Sequence, residues 1–417
     1  MGGAPNALLA GGRVFGARVR AAPASARGRT WRDAATVRKR TVLVPGLAAL
    51  AIAAAACAPN ATQSALEPKG PYAQKSYDLF VPVFWVAVGI FVIVEGLLLL
   101  FAIRYRHRKT RTTIPPQVHG NTRLEIAWTI MPALILAGVA VPTIATIWDL
   151  AAKPTGNVLE VNVLGHQWWW EFDYPDQKII TANELHIPTG RPVYLTLCAV
   201  GSGYGAGPPS EPGPPAPNAC QTGPPDSFPP AGIGAAVIHS FWVPALAGTT
   251  DVVPGQTNHM TIQADEPGVY PGQCKEFCGY AHAEMKFKVV AQSPDDFDQW
   301  VKEQQAGAVP PAAGSEAAKG FEVFQANLPA GGHCTDCHAI DGLQTDQGQP
   351  ILSNGAPNLT HFASRSCFAG CSLANTDENL RRWLENPSAV KYGSFMPDYG
   401  LSSEQIDQLI AFLNSLE

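Results

Sequence analysis

The sequence has little charge: Asp, Glu, Lys and Arg make up 15% of its 417 residues, and the net charge is −5. Its nine cysteines are too few for a fold built by disulfide bonds, so each cysteine requires its own explanation. No acidic residue lies between positions 104 and 123, whereas basic residues are concentrated before position 125. This asymmetry indicates a first part that meets a membrane, and it gives no sign of nucleic-acid binding.

The N-terminus has the pattern of an export signal. Residues 38–40 are basic, and the apolar stretch from Thr41 to Ala56 is too short to span a bilayer. The small residues before Cys57 resemble a lipoprotein cleavage site, at which Cys57 would be lipidated. The alternative is an ordinary signal peptide with an incidental cysteine. We therefore predict a signal peptide, of lipoprotein type, over residues 1–57.

Two long apolar stretches follow. Leu79–Ile103 and Ile126–Trp148 are each long enough to cross a hydrocarbon core of about 30 Å. The basic loop between them is predicted to be cytoplasmic by the positive-inside tendency, which puts both ends of the chain outside. Residues 75–152 are therefore expected to form a transmembrane hairpin in a bacterial cell membrane.

Residues 156–292 have the alternation of short β-strands separated by Gly/Pro turns, which is typical of an antiparallel barrel or sandwich. The predicted strands are Val158–Val163, Trp168–Tyr174, Val193–Leu197, Val237–Val243, Thr257–Gln263 and Lys286–Val290. A Gly- and Pro-rich insertion at 199–236 cannot form a core. A disulfide between Cys198 and Cys220 is expected to tether this insertion, with one buried and one free thiol as the alternative.

The most specific chemistry lies between residues 274 and 285. Cys274, Cys278, His282 and Met285 provide two thiolates, an imidazole and a thioether, which favour copper over magnesium or calcium. Zinc has little use for the methionine, and a disulfide between the two cysteines is the purely structural alternative. A second imidazole is predicted from His239, at the end of a strand.

The last part of the chain carries a haem-attachment pattern. Residues 306–316 have the composition of a flexible linker, and residues 317–417 are expected to form a separate domain with helices at Ala317–Asn327 and Ser402–Leu416. Within it, Cys334-Thr-Asp-Cys337-His338 matches C-x-x-C-H. In this pattern the thiols form thioethers to haem, and the histidine is the proximal iron ligand.

The sixth iron ligand is predicted by elimination. Met396 is the only methionine of this segment, and His333 is too close to the proximal ligand to reach the opposite face of the haem. His361 is the alternative, and it would give a haem of lower potential. Cys367 and Cys371 are expected to form a local disulfide, although their short separation constrains its geometry.

The stretch from about Tyr77 to Trp300 resembles subunit II of cytochrome c oxidase, through H-S-F-W-V-P at 239–244 and C-x-E-x-C-x3-H-x2-M at 274–285. The resemblance implies a dinuclear copper centre, CuA, on a cupredoxin-like β-barrel. In that family the two cysteines bridge the coppers and each histidine binds one copper. The methionine and the main-chain carbonyl of Glu276 complete the ligand set. The Glu276 side chain would reach a magnesium ion shared with subunit I.

The same resemblance assigns two further residues. It implies that Trp168 exposes its ring as the point of electron entry, whereas Trp169 and Trp170 are expected to pack in the core. It also implies that Glu125 lies at the mouth of a proton pathway. The alternative for Glu125 is a simple helix-start carboxylate. The C-terminal segment resembles class I cytochrome c, in which a methionine followed by proline, here Met396, is the axial ligand.

These features together predict a multidomain membrane protein with a transmembrane hairpin, a cupredoxin-like barrel and a small all-α cytochrome c domain. It would pass electrons from a covalent haem c through CuA to the oxygen-reducing haem–copper site of subunit I, in a complex with other oxidase subunits. The expected donor is cytochrome c or the quinol–cytochrome c reductase complex, and the tethered haem domain would act as an internal shuttle.

Three alternative functions share part of this pattern, and a quinol oxidase subunit II is the third of them. The first is a nitric oxide or nitrous oxide reductase that uses CuA, and the second is a free-standing, membrane-anchored electron-transfer protein. A quinol oxidase subunit II would lack the copper ligands.

Overall fold

The computed structural model describes residues 63–106, 117, 119–201, 236–352 and 355–417. The predicted signal peptide with Cys57, and most of the insertion with Cys220, lie outside the described residues. Cys198 is disulfide-bonded, but because Cys220 is not described, the predicted pairing stays a prediction.

Two long apolar helices open the described chain, α1 (Pro71–Arg104) and α2 (Thr122–Ala151). They contain both predicted spans, and they are long enough to cross a membrane. Asn121 caps α2 by accepting a hydrogen bond from the main-chain N–H of Leu124 at 3.2 Å. Lys75 and Asp149 form an ion pair of 2.7 Å between the ends of the helices that adjoin the β-domain.

The β-domain consists of two five-stranded sheets with the strand orders β3-β2-β1-β5-β8 and β4-β10-β9-β6-β7. The strands are β1 (Leu159–His166), β2 (Trp169–Tyr174), β3 (Ile179–Ala182), β4 (Glu184–Pro188), β5 (Val193–Ala199), β6 (His239–Trp242), β7 (Thr249–Val252), β8 (Asn258–Ile262), β9 (Gly268–Cys274) and β10 (Lys286–Gln292). A core of aromatic rings lies between the sheets and includes Trp170, Phe172, Phe241 and Phe287.

The expectation of purely antiparallel strands is wrong for two pairs. Strand β1 pairs with β5 in parallel, and β10 pairs with β4 in parallel. The chain crosses to the second sheet through β4 before it returns as β5. This long connection lets β5 run in the same direction as β1, which a tight hairpin would not allow.

The C-terminal domain is mainly helical and has its own hydrophobic core. Its regular elements are α4 (Glu316–Gln325), β11 (Ala339–Gln344), β12 (Pro350–Leu352), β13 (Cys367–Phe368), β14 (Leu373–Ala374), α5 (Asp377–Glu385), α6 (Pro387–Val390) and α7 (Ser403–Leu413); α3 (Pro294–Gln304) precedes it. The two predicted terminal helices are confirmed as α4 and α7. They pack closely because Gly320 of α4 lies against the Gln408 carbonyl and the Phe412 side chain of α7.

The first residues of the predicted linker lie against the C-terminal domain. Ala308 is buried, and its main-chain N–H donates to the carbonyl of Asp341 at 2.8 Å. Just before the linker, the carbonyl of Gln304 lies 3.2 Å from Nε2 of His361. The beginning of the linker is therefore packed rather than free.

Candidate copper and haem sites

The predicted copper ligands meet at one end of the second sheet. Strands β6 and β9 pair with Phe241 opposite Cys274, which brings His239 close to the loop that follows β9. Sγ of Cys274 lies 3.9 Å from Nδ1 of His239 and 3.9 Å from Sγ of Cys278.

The rest of the predicted set completes this cluster. Sγ of Cys278 lies 3.6 Å from Nδ1 of His282 and 3.8 Å from Sδ of Met285. The carbonyl oxygen of Glu276 lies 3.2 Å from Sγ of Cys274, whereas the Glu276 side chain is exposed. All six groups that the sequence analysis named are therefore assembled in one place.

The ligand loop is held from two sides. The N–H of Cys274 donates to the carbonyl of Met285 at 2.9 Å, and the N–H of Lys275 donates to that of Ser240 at 3.0 Å. A short 3₁₀ helix, His282–Glu284, carries the last two ligands towards the thiols. Main-chain hydrogen bonds of this kind fix the ligand positions before a metal binds.

The chemistry of the cluster fits copper. Both cysteines are free thiols, which rules out the disulfide alternative in this structure. The hydrogen bond with Cys278 lowers the pKa of Cys274 well below its ordinary value, with His239 acting in the same direction, so a thiolate is favoured. Burial lowers the pKa of His239, which keeps its imidazole neutral and able to bind a metal. A buried set of two sulfurs, two imidazoles and a thioether suits soft copper ions.

The haem-attachment residues line one partly open cavity. Cys334, Cys337 and His338 lie on its wall, together with apolar side chains. Nδ1 of His338 lies 2.7 Å from the carbonyl of Pro357 and donates to it, so Nε2 is the ring nitrogen left to bind iron. Burial lowers the pKa of His338, which keeps the ring neutral. The mainly apolar lining of the cavity and the position of His338 on its wall fit a porphyrin with a proximal histidine.

The predicted sixth ligand belongs to the same cavity. Met396 lines it, and the indole N–H of Trp383 lies 3.0 Å from the Met396 sulfur. His361 is not among the cavity-lining residues, and its ring nitrogens face the main-chain carbonyls of Glu417 and Gln304. The structure therefore favours Met396 over His361.

Comparisons with known proteins match all three parts of the chain. The family model "Cytochrome C oxidase subunit II, transmembrane domain" matches residues 61–146, its periplasmic-domain counterpart matches residues 233–293, and the "Cytochrome c" model matches residues 317–417. Cytochrome c oxidase subunit 2 of Alkalihalophilus pseudofirmus is 36% identical over 367 residues, covering 87% of this chain and 93% of the relative. The chain belongs to the cytochrome c oxidase subunit 2 family.

Other relatives support the same family. Cytochrome c oxidase subunit 2 of a Bacillus species is 34% identical, with 85% of this chain and 91% of the relative covered. Quinol oxidase subunit 2 of Bacillus cereus is 32% identical over 248 residues, which is 58% of this chain and 73% of the relative. The chain is thus a membrane protein of this family that carries a cupredoxin-like β-domain and a fused cytochrome c domain.

Trp168 of the oxidase subunit departs from the expectation of an exposed ring. Only 5% of it is exposed, because Phe395 of the cytochrome c domain stacks on its indole with ring centroids 5.2 Å apart. Its indole N–H donates to the carbonyl of Cys278 at 2.9 Å. The predicted exposure is wrong, whereas the core positions of Trp169 and Trp170 are confirmed.

Glu125 of this subunit occupies the first turn of α2. Its carboxylate accepts a hydrogen bond from the main-chain N–H of Asn121 at 3.2 Å, which is the helix-start role given as the alternative. The side chain is exposed. A role in proton entry stays a prediction.

Three polar groups between the cytochrome c domain and the β-domain were not found from the sequence. The Lys391 ammonium is buried, and the buried Glu184 carboxylate accepts hydrogen bonds from the N–H and hydroxyl of Ser366. The expected disulfide between Cys367 and Cys371 is present and closes the loop that follows Ser366. A single lysine or glutamate outside a recognisable pattern gives no sequence signal.

Proposed function

We propose that this subunit accepts electrons on its cytochrome c domain and passes them through the copper-type site of its barrel to the oxygen-reducing site of subunit I. One observation carries the proposal: the haem-type cavity and the copper-ligand cluster share a wall. Phe395, next to the predicted axial ligand Met396, stacks on Trp168. The indole of Trp168 is hydrogen-bonded to the main chain of the copper ligand Cys278.

The proposed cofactors supply one-electron redox chemistry when bound. Haem c would be held by Cys334, Cys337, His338 and Met396, and CuA by His239, Cys274, Glu276, Cys278, His282 and Met285. The protein's part is to hold these ligands still, because small geometric change on reduction favours fast electron transfer. The main-chain hydrogen bonds of the copper-ligand loop and the His338–Pro357 contact support this role.

The surface around the copper-ligand loop supports a partner on that face. Phe277 and Tyr280 are 71% and 76% exposed, and the Glu276 carboxylate is exposed beside them. Large apolar side chains that cluster in solvent are typical of a surface that another protein covers. We assign this surface to subunit I, with the Glu276 side chain reaching a shared magnesium ion and Glu125 serving as a proton-entry residue.

The proposal also covers the setting of the subunit. It would lie in a bacterial cell membrane, with the basic loop between α1 and α2 inside and the copper and haem sites outside. Its donor would be cytochrome c or the quinol–cytochrome c reductase complex.

The test is spectroscopy on the purified oxidase. We expect a c-type haem absorption spectrum and the EPR signal of a mixed-valence dinuclear copper centre. Rapid mixing with reduced cytochrome c should show the haem reduced first and the copper centre second. A mononuclear copper spectrum, zinc at this site, or reduction of copper before haem would contradict the proposal. Copurification with subunit I tests the partner, and isolation of the chain alone from gently solubilised membranes would favour a free-standing protein.

A further inference from the structure

A buried lysine joins the cytochrome c domain to the barrel. Lys391 is 5% exposed, and its ammonium donates to three main-chain carbonyls: those of Trp168 at 2.7 Å, Ala369 at 2.9 Å and Glu284 at 3.2 Å. An ammonium has three donors and no acceptor, so three carbonyls satisfy it completely. Two of these carbonyls belong to the barrel, and the third belongs to the disulfide-closed loop of the cytochrome c domain.

Such burial is costly, which argues for a role. A desolvated ammonium is strongly destabilising unless hydrogen bonds compensate it, and burial lowers the pKa of Lys391 to about 7. Lys391 would lose all its hydrogen bonds to the barrel if the cytochrome c domain moved away. The contact therefore exists only in one relative orientation of the two domains.

Two glycines allow the domains to come this close. Gly370 has a φ of +70°, and a Cβ there would lie 2.7 Å from the Glu284 carbonyl oxygen and 2.8 Å from that of Trp168. Gly393 has a φ of +87°, and its Cβ would lie 2.9 Å from the Cβ of Tyr280. Both positions combine a left-handed backbone with a contact that no other residue type would permit without displacement.

Further contacts hold the same orientation. The main-chain N–H of Lys286 donates to the carbonyl of Gly370 at 2.9 Å, and the hydroxyl of Ser372 donates to that of Glu284 at 2.8 Å. On another side, Glu184 of the barrel accepts from Ser366. These contacts lie around Lys391, which lines the haem-type cavity and is only 5% exposed.

We propose that Lys391 is a positioning residue that fixes the cytochrome c domain on the barrel in one docked orientation. The cytochrome c domain then stays docked while it passes electrons to the barrel, and it does not move on its linker as the linker composition indicated. An external donor cannot reach the covered ring of Trp168, so it must deliver its electron to the cytochrome c domain. This inference rests on the proposed function, because docking matters only if electrons pass between the two sites.

The experiment measures electron transfer from haem c to the copper centre in the intact oxidase, after photoreduction of the haem, at increasing glycerol concentration. A docked domain needs no diffusive search, so we expect the wild-type rate to be independent of viscosity. Lys391→Met keeps the length of the side chain but removes its donors. We expect it to slow transfer by roughly tenfold or more, because charged hydrogen bonds are lost, and to make the rate fall with viscosity. Lys319→Met, at an exposed lysine of the same domain, is the matched control and should behave as wild type.

A second variant guards against misfolding of the first. Gly370→Ala keeps the lysine in the sequence but places a Cβ 2.7 Å from its Nζ and against the two barrel carbonyls that it binds. This should force the loop off the barrel and produce the same viscosity dependence. In both variants the haem spectrum should be retained, and hydrogen–deuterium exchange should rise in residues 164–172 and 280–286.

The outcomes separate the two proposals. The role of Lys391 would be overturned if both variants transferred electrons at the wild-type rate, independently of viscosity, and with wild-type hydrogen–deuterium exchange. A viscosity-dependent wild-type rate would overturn fixed docking but leave the electron route standing. If the wild-type haem does not reduce the copper centre at all, the proposed function itself fails.

Discussion

Replacing Trp168 with alanine tests the electron route most directly. The ring fills the space between Phe395 of the cytochrome c domain and the main chain of Cys278, at the shared wall of the two sites. Trp168→Ala removes the stack and the indole hydrogen bond but none of the copper ligands. We therefore expect both cofactors to be retained and transfer between them to slow.

The magnitude follows from the contacts that are lost. Truncation of a buried tryptophan costs about 3–5 kcal/mol of folding stability. Of this, the indole hydrogen bond within the barrel accounts for about 1 kcal/mol. The stack on Phe395 crosses between the domains and is worth about 0.5–1.5 kcal/mol. That share alone weakens docking by about two- to thirteenfold, and loss of the bridging ring should slow transfer further. Trp168→Phe keeps a ring against Phe395 and should fall between alanine and wild type.

The assay is the photoreduction experiment on the intact oxidase, with copper EPR to confirm that the centre is intact. The matched control is Trp300→Ala, because Trp300 is also buried but packs on Tyr174 and His186. It should lose comparable stability without slowing transfer. Equal rates in Trp168→Ala and wild type, or equal slowing in both alanine variants, would refute the assignment of Trp168 to the route.

Three further predictions concern the cytochrome c domain and its contact. Met396→Ala should keep the haem covalently attached but lose its low-spin absorption spectrum, and an unchanged spectrum would contradict axial ligation by Met396. Burial raises the pKa of the Glu184 carboxyl, but hydrogen bonds from His186 and Ser366 outweigh burial and lower that pKa below its ordinary value. The stability from Glu184 is therefore present above the ordinary carboxyl pKa and lost as pH falls through the lower folded value. Glu184→Gln should therefore reduce the loss of thermal stability as the pH is lowered, which thermal unfolding at a series of pH values measures. If the variant and wild type lose stability equally, Glu184 does not cause this loss. Gly320→Val should lower the free energy of unfolding of the domain by about 1–3 kcal/mol through overpacking. Denaturant unfolding followed by haem absorbance measures this, and an unchanged free energy of unfolding would contradict close packing of α4 on α7 at Gly320.

Strands β3, β4 and β9 were not predicted from the sequence, for two different physical reasons. Strand β9 contains Pro271 and Gly272, which normally argue against a strand. Strands β3 and β4 are separated only by Asn183, whose φ of +64° bends the chain sharply between them. The Asn183 side chain accepts a hydrogen bond from the main-chain N–H of Trp170, so the bend is stabilised by a distant strand. The residues around Asn183 do not reveal this long-range contact, so the bend could not be predicted from them. Helix α7, by contrast, was predictable from the helical spacing of its own apolar residues.

The copper-ligand cluster was predictable because five of its six members lie within twelve residues, where spacing alone fixes their proximity. Only His239 required a long-range contact, and its own sequence context identified it. Lys391 is the opposite case, since its acceptors lie 223, 107 and 22 residues away in sequence. A lone lysine in a loop is ordinarily solvated, and only the packing of two domains turns it into a buried contact. The burial of Trp168 was missed for the same reason, because the ring and the residues that cover it belong to domains with separate cores.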